Sequence, residues 1–228
     1  MRVLRRKEGN FLIGFYNYSV ILTYLGLTSA IIGMVQALEG SPRLAVLLLL
    51  ICGLCDMFDG TIARKCKRSE DAKCFGMQID SLCDLVCFGV FPAVLGYSLA
   101  PTNVFTVGCM AFYVLAAVIR LAYFNVQETN RMAENAGKRE YYLGLPVTSS
   151  ALILPAVTLI TAIDKVQWAY IYPIALLLLG GAFVARFRVK KPYMVGLVLL
   201  ALLGLAVFYL VIRFGGQIAC MKNYTALA

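Results

Sequence analysis

Apolar runs recur along this chain at 17–38, 43–64, 77–100, 103–126, 145–163, 168–185 and 193–213. Each is close to the roughly 20 residues that carry an α-helix across a hydrocarbon core about 30 Å thick. In lipid every backbone N–H and C=O must find a partner within the protein, so runs of this length can only be helices. Of 228 residues, 61% are hydrophobic and 14% charged, which excludes a disordered chain, argues against a soluble one and leaves little sequence for extramembrane structure. The expected class is all-α, a polytopic transmembrane helical bundle of about seven spans, with six and eight left open. Breaks fall at EGSPR (39–43), APTN (100–103) and KKP (190–192), where proline or charge interrupts the apolar pattern. No internal repeat or low-complexity tract stands out.

The 21 Lys and Arg against 12 Asp and Glu sum to +9. In a soluble protein that excess would suggest nucleic acid; here it reports orientation, and no nucleic-acid partner is expected. Sixteen of the 21 fall in the N-terminus and in the 64–73, 127–144 and 186–191 connections, which alternate along the span order. The other side holds only Arg43, Lys165, Arg213 and Lys222, and Arg120 lies inside a span. This asymmetry predicts a cytoplasmic N-terminus and an odd number of spans. Residues 1–16 form a basic segment in which Arg2, Arg5, Arg6 and Lys7 accompany Phe11, Leu12, Ile13 and Phe15. That mixture suits a helix lying on an anionic membrane surface, with a basic tail as the alternative. The apolar stretch that follows is long and lacks a small-residue cleavage site, so it reads as a retained span.

Eight cysteines and no histidine invite thought of disulfides or zinc. Cys52, Cys55, Cys83, Cys87 and Cys109 all fall in apolar runs, and CGLC at 52–55 is the only C-x-x-C, so small apolar packing is the reading adopted.

Acidic residues inside apolar helices are costly unless they meet a cation or water, which makes them functional candidates. Asp56 and Asp59 are three apart and Asp80 and Asp84 four apart, so each pair occupies one helical face. One pair ends a span, the other opens the next, and a basic loop joins them, so both meet at the cytoplasmic end of a helical hairpin. Without histidine or a thiolate array, four carboxylates are hard oxygen ligands for Mg²⁺, Mn²⁺ or Ca²⁺. Two such ions would clamp a pyrophosphate for in-line displacement. Gly60 and Ala63 are small enough to admit a ligand beside the helix, and Arg64 supplies a guanidinium for phosphate. The bland alternative pairs these carboxylates with Lys65, Lys67 or Arg68 on a wetted surface.

The stretch DMFDGTIARKCKRSEDAKCFGMQIDSLCD resembles the signature of the CDP-alcohol phosphotransferase family, D-x2-D-G-x2-A-R followed by G-x3-D-x3-D, with Asp56, Asp59, Gly60, Ala63, Arg64, Gly76, Asp80 and Asp84 at the specified places. The family's loop between Arg and Gly is usually shorter than the eleven residues, Lys65 to Phe75, found here. Lys73 stands where some members carry a hydroxyl residue, and Ser69 is the loop's only hydroxyl. DSLCDLVCFGVFPA (80–93), IRLAYFNV (119–126) and YLGLP (142–146) are similar to segments of the family's serine-transferring branch, Tyr123 replacing a second arginine.

This resemblance implies a two-metal membrane enzyme of phospholipid biosynthesis, commonly a homodimer, with Mg²⁺ or Mn²⁺ as cofactor and CDP-diacylglycerol and L-serine as substrates. It implies a catalytic core at 17–150, followed by transmembrane helices at 151–228. Asp56, Asp59, Asp80 and Asp84 would be metal ligands, Asp84 also the general base. Gly60, Ala63, Arg64 and Gly76 would line the nucleotide and phosphate site, facing the cytoplasm from the cell membrane. For the acceptor, Arg120 is the one cation within an apolar span and Asn125 follows five residues on. Arg120 would bind the serine carboxylate, or alternatively pair with a buried Asp or a helix-end carbonyl. Gly144 and Pro146 read as shaping a bend, and Tyr113, Tyr123, Tyr141 and Tyr142 as interfacial or packing aromatics. Glycerol 3-phosphate or an inositol phosphate as acceptor would favour a cluster of basic residues. A cation or proton transporter would spread its carboxylates across membrane depth, whereas these four sit at one level.

Overall fold

A computed structural model describes residues 18–63, 69–133, 141–163, 170–190, 194–216 and 218. Residues 1–17, and with them the expected interfacial segment, lie outside this set, as do Arg64 and residues 65–68 of the basic loop. Among the described residues the chain is a bundle of helices: α1 (Tyr18–Leu38), α2 (Pro42–Ala63), α3 (Glu70–Asp84), α4 (Phe91–Leu99), α5 (Val104–Ala133), α6 (Ser150–Ile163), α7 (Ile171–Val184) and α8 (Met194–Phe214). A π-helical turn, Leu85–Val90, joins α3 to α4 without a break, so the eight segments make seven rods. Three rods are long and apolar enough to cross a membrane by themselves: Val20–Leu38, Asp71–Leu99 and Val104–Arg131. Three shorter apolar helices, Val147–Ile160, Ile171–Val184 and Leu199–Phe214, accompany them, and α2 carries Arg43 near its start and Asp56 and Asp59 near its end.

Two rods are longer than their apolar runs. Ser69 caps α3, its Oγ accepting from Ala72 N at 3.3 Å, and Glu70 and Asp71 complement the positive end of the helix dipole. The helix therefore begins seven residues before residue 77, where the apolar pattern starts. Beyond residue 126, α5 continues through ETNRM to Ala133, supported by the Glu128–Arg131 ion pair and by Thr129 Oγ1 donating to Asn125 O at 2.9 Å. Both extensions are polar and point to stretches beyond the apolar slab, which a hydropathy pattern does not see.

The π turn has a local cause. In an α-helix Phe88 O would accept from residue 92, which is a proline and has no N–H. The ladder widens by one residue, Phe91 N donating to Val86 O, and Phe88 O is taken by Tyr113 Oη at 2.6 Å and Ser150 Oγ at 3.4 Å. Pro92 O in turn accepts from Tyr172 Oη at 3.1 Å. Hydroxyls from α5 and α6 thus satisfy the Phe88 carbonyl that the proline leaves without an N–H donor, and one from α7 bonds the Pro92 carbonyl itself. Tyr113 is fully buried, in accord with a packing role.

Tight helix packing comes from small residues, as is usual where lipid removes the hydrophobic drive between helices. A Cβ at Gly33 would overlap the Phe91 ring, and one at Gly53 would sit 2.7 Å from Ala151 Cβ. The core gathers Leu49, Phe88, Phe91, Leu95, Tyr113, Leu154, Leu176 and Phe183, while Leu25, Leu115, Leu178 and Leu203 point outward as a lipid-facing surface would. α6 and α8 pack on α2, and α7 packs on α5. Arg43 Nη2 donates to Ile212 O at 2.6 Å, capping the carbonyl end of α8. All six cysteines among the described residues are free thiols.

Among the described residues one paired feature is not helical. Tyr141–Leu143 (β1) and Arg188–Lys190 (β2) pair antiparallel, Tyr141 opposite Lys190. Next to them Gly144 adopts φ +73°, where a Cβ would lie 2.7 Å from Phe183 O. The bend expected at Gly144 and Pro146 is therefore a left-handed glycine turn that ties two connections together.

Candidate active site

The α2–α3 hairpin brings the two acidic pairs together as their spacing predicts. One carboxylate oxygen from each of Asp56, Asp80 and Asp84 lies within 4.8 Å of the other two. At such separations like charges repel by an amount on the order of a few kcal/mol per pair, so a cation among them is strongly favoured. Three convergent oxygen donors, with no histidine in the chain, suit a hard divalent cation. The donor set therefore fits the expected metal.

Asp59 differs from these three. It is the most buried of the four, and its Oδ2 accepts from Thr23 Oγ1 on α1 at 3.0 Å. Nothing in the acidic spacing pointed to Thr23, because α1 carries none of the signature residues. Gly60, one residue on, is exposed, and a Cβ there would meet nothing within 4 Å. The helix surface beside Asp59 is thus open where a ligand is expected. Gly76 sits on α3 one turn before Asp80, and Lys73 one turn earlier is exposed. Ala63 ends α2; its side chain and all of Arg64 lie outside the described residues.

On the acceptor side, Asn125 is joined to α3. Its Oδ1 accepts from Ser81 Oγ at 2.7 Å and its Nδ2 donates to Gln78 Oε1 at 3.4 Å. Ser81 adjoins Asp80, so this bridge links α5 to the backbone that carries the carboxylates. Arg120 is buried, and its Nε donates to Leu145 O at 3.3 Å, in the segment after the Gly144 turn. That carbonyl lies in the loop before the 3-10 turn at Val147–Ser149, so it is a backbone partner but not a helix-end carbonyl. Ser81 lies inside the DSLCD stretch, and its bond to a residue 44 positions away has no local signal in the sequence.

Over 108 residues the chain is 39% identical to CDP-diacylglycerol--serine O-phosphatidyltransferase of Saccharomyces cerevisiae, covering 46% of this chain and 38% of that one. It is 31% identical over 152 residues to archaetidylserine synthase of Methanothermobacter thermautotrophicus, 66% of this chain and 61% of that one. It is 32% identical over 112 residues to CDP-diacylglycerol--serine O-phosphatidyltransferase of Bacillus subtilis, 48% of this chain and 57% of that one. The matched stretches thus span between about two fifths and three fifths of these relatives' lengths. The family model for CDP-alcohol phosphatidyltransferase matches residues 16–220. Apolar helices and this match together make the protein an integral membrane protein. The match takes in the carboxylate cluster and every described helix, and the chain belongs to the CDP-alcohol phosphatidyltransferase family.

Proposed function

We propose that this protein transfers the phosphatidyl group of CDP-diacylglycerol to the hydroxyl of L-serine, giving phosphatidylserine and CMP, at the cytoplasmic face of the cell membrane. The observation that carries this reading is the convergence of Asp56, Asp80 and Asp84 within 4.8 Å. The acceptor is supported by relatives from a yeast, an archaeon and a bacterium whose names share serine. The 16-to-4 asymmetry of basic residues supports the cytoplasmic orientation.

In this reading Asp56, Asp59, Asp80 and Asp84 hold two divalent ions, Mg²⁺ or Mn²⁺. When bound, these would offset the pyrophosphate's negative charge and the charge that develops on the departing CMP. Gly60 leaves the α2 surface open to the nucleotide, and Ala63, Arg64 and Gly76 line the phosphate side. The serine hydroxyl oxygen bonds to the phosphorus bearing diacylglycerol while the bond from that phosphorus to the bridging oxygen breaks. CMP leaves with that oxygen, and Asp84 accepts the hydroxyl proton, the natural base in a chain without histidine. Arg120 and Asn125 contact serine from α5, where the Ser81 bridge sets their height relative to Asp80. Residues 17–150 form the catalytic core and 151–228 its supporting helices, assembled as a homodimer that light scattering in detergent would detect.

The test is to incubate purified protein with CDP-diacylglycerol, Mn²⁺ and one alcohol at a time, following CMP and lipid product. Serine should support turnover far above glycerol 3-phosphate or inositol phosphate, and EDTA should abolish it reversibly. Turnover with either phosphorylated alcohol above that with serine would reassign the acceptor. Full activity after exhaustive chelation would sink the two-metal chemistry.

A further inference from the structure

Asp59 is tied to a helix outside the signature, and the way it is tied is specific. Of the hydroxyls on α1 whose bonds are seen, Thr28 and Ser29 do what membrane-helix hydroxyls ordinarily do, donating back to Tyr24 O and Leu25 O, each at 2.8 Å. Thr23 instead crosses to another helix and donates to Asp59 Oδ2 at 3.0 Å, 36 residues away. A close approach makes this reach possible. Gly26, one turn along α1, would place a Cβ only 3.4 Å from Cys55 Cβ, and Cys52 Sγ donates to Gly26 O at 3.3 Å. Cys55 lies one turn before Asp59, so α1 and α2 are pinned together beside the carboxylate, and a short β-branched side chain spans the gap.

A hydroxyl is a distinctive choice of partner. A lysine or arginine would neutralise the carboxylate and compete with a metal, whereas a neutral donor orients it and leaves its charge in place. Asp59 also stands outside the trio whose oxygens lie within 4.8 Å of one another, and its partner comes from a helix outside that trio's hairpin. We propose that Thr23 is a positioning residue that orients Asp59 toward the divalent cation held with Asp56, Asp80 and Asp84, which makes α1 part of the metal site. This rests on the reading of the carboxylates as metal ligands.

The experiment titrates the purified full chain in lipid nanodiscs with Mn²⁺ alone, reading free ion by electron paramagnetic resonance, and records thermal unfolding of the metal-free protein. Thr23→Val keeps shape and branching but removes the donor, and should raise the Mn²⁺ Kd by about 10–100-fold with an unchanged metal-free midpoint. Thr23→Ser restores the hydroxyl and should bind close to wild type. On an Asp59→Asn background, Thr23→Val should add nothing. The inference is overturned if Thr23→Val binds Mn²⁺ as tightly as wild type, whatever its midpoint, or if Thr23→Ser is as weak as Thr23→Val. Failure of the wild-type chain to bind Mn²⁺ is a separate outcome and overturns the metal reading itself.

Discussion

The 29-residue rod from Asp71 to Leu99 is one span with two unlike halves. Its first half, α3, carries Gln78, Asp80, Ser81 and Asp84, none fully buried, and is located by side-chain hydrogen bonds to α5. Its second half presents Phe88, Phe91 and Leu95 to the core, where apolar packing and tyrosine hydroxyls on its carbonyls hold it. The π turn lies where one mode gives way to the other, directly after Asp84. A carboxylate-bearing segment cannot be fixed by packing alone, because burial of its charges without a cation is costly. An apolar segment has no such restriction, so the rigid half anchors the rod and the polar half is aimed by directional bonds. Removing a polar group from α3 should therefore impair chemistry before stability, and removing a support from the second half should do the reverse.

The largest expected effect tests the first half directly. Asp80→Asn should lose Mn²⁺ binding and measurable CMP release together, while the protein still purifies as a folded bundle. Retained Mn²⁺ affinity would remove Asp80 from the ligand set.

Asp84→Asn should separate two roles at one position. Loss of a general base costs about 10²–10⁴-fold in turnover, whereas CDP-diacylglycerol binding should remain measurable. Near-normal turnover would rule out the base assignment; donor binding lost as fully as in Asp80→Asn would make Asp84 a ligand only.

Arg120 comes next, on the helix that the first half leans on. If it holds the serine carboxylate, Arg120→Ala loses a charge-assisted hydrogen bond and should raise the serine KM by about 10–100-fold with little change for the donor. Arg120→Lys should recover stability better than serine affinity, because Lys lacks the planar fork. A well-folded Arg120→Ala with wild-type serine KM would leave Arg120 as a structural anchor for Leu145 O.

The smallest effect belongs to the second half. Tyr113→Phe leaves Phe88 O with only the longer Ser150 bond, and should lower stability by about 0.5–2 kcal/mol in a thermal unfolding measurement. Turnover per folded molecule should stay within a few-fold of wild type. A turnover loss as deep as that of Asp84→Asn, at unchanged stability, would show that the two halves do not divide the work as described.

Much of this was legible in one dimension. A bilayer's thickness and the requirement to satisfy every backbone group turn apolar run length into helix count, so the rods agree with the runs to within a few residues at most ends. Helical periodicity likewise placed Asp56 with Asp59 and Asp80 with Asp84 before any coordinates, since residues three or four apart must share a face. The polar ends of α3 and α5 were hidden for the complementary reason: Ser69 and the Glu128–Arg131 pair extend helices by capping and charge, to which apolar periodicity is blind.

What remained belongs to separations that spacing cannot express. That Thr23 reaches Asp59 at all depends on how closely Gly26 lets α1 approach α2. The pairing of β1 with β2, the bridge from Asn125 to Ser81 and the grip of Tyr113 on Phe88 O are contacts between residues 25 to 49 positions apart. The chemical kind of the site follows from residue types at helical spacing, which are local properties. Which side chain aims which carboxylate is set by interhelical distances, and those exist only once the bundle has packed.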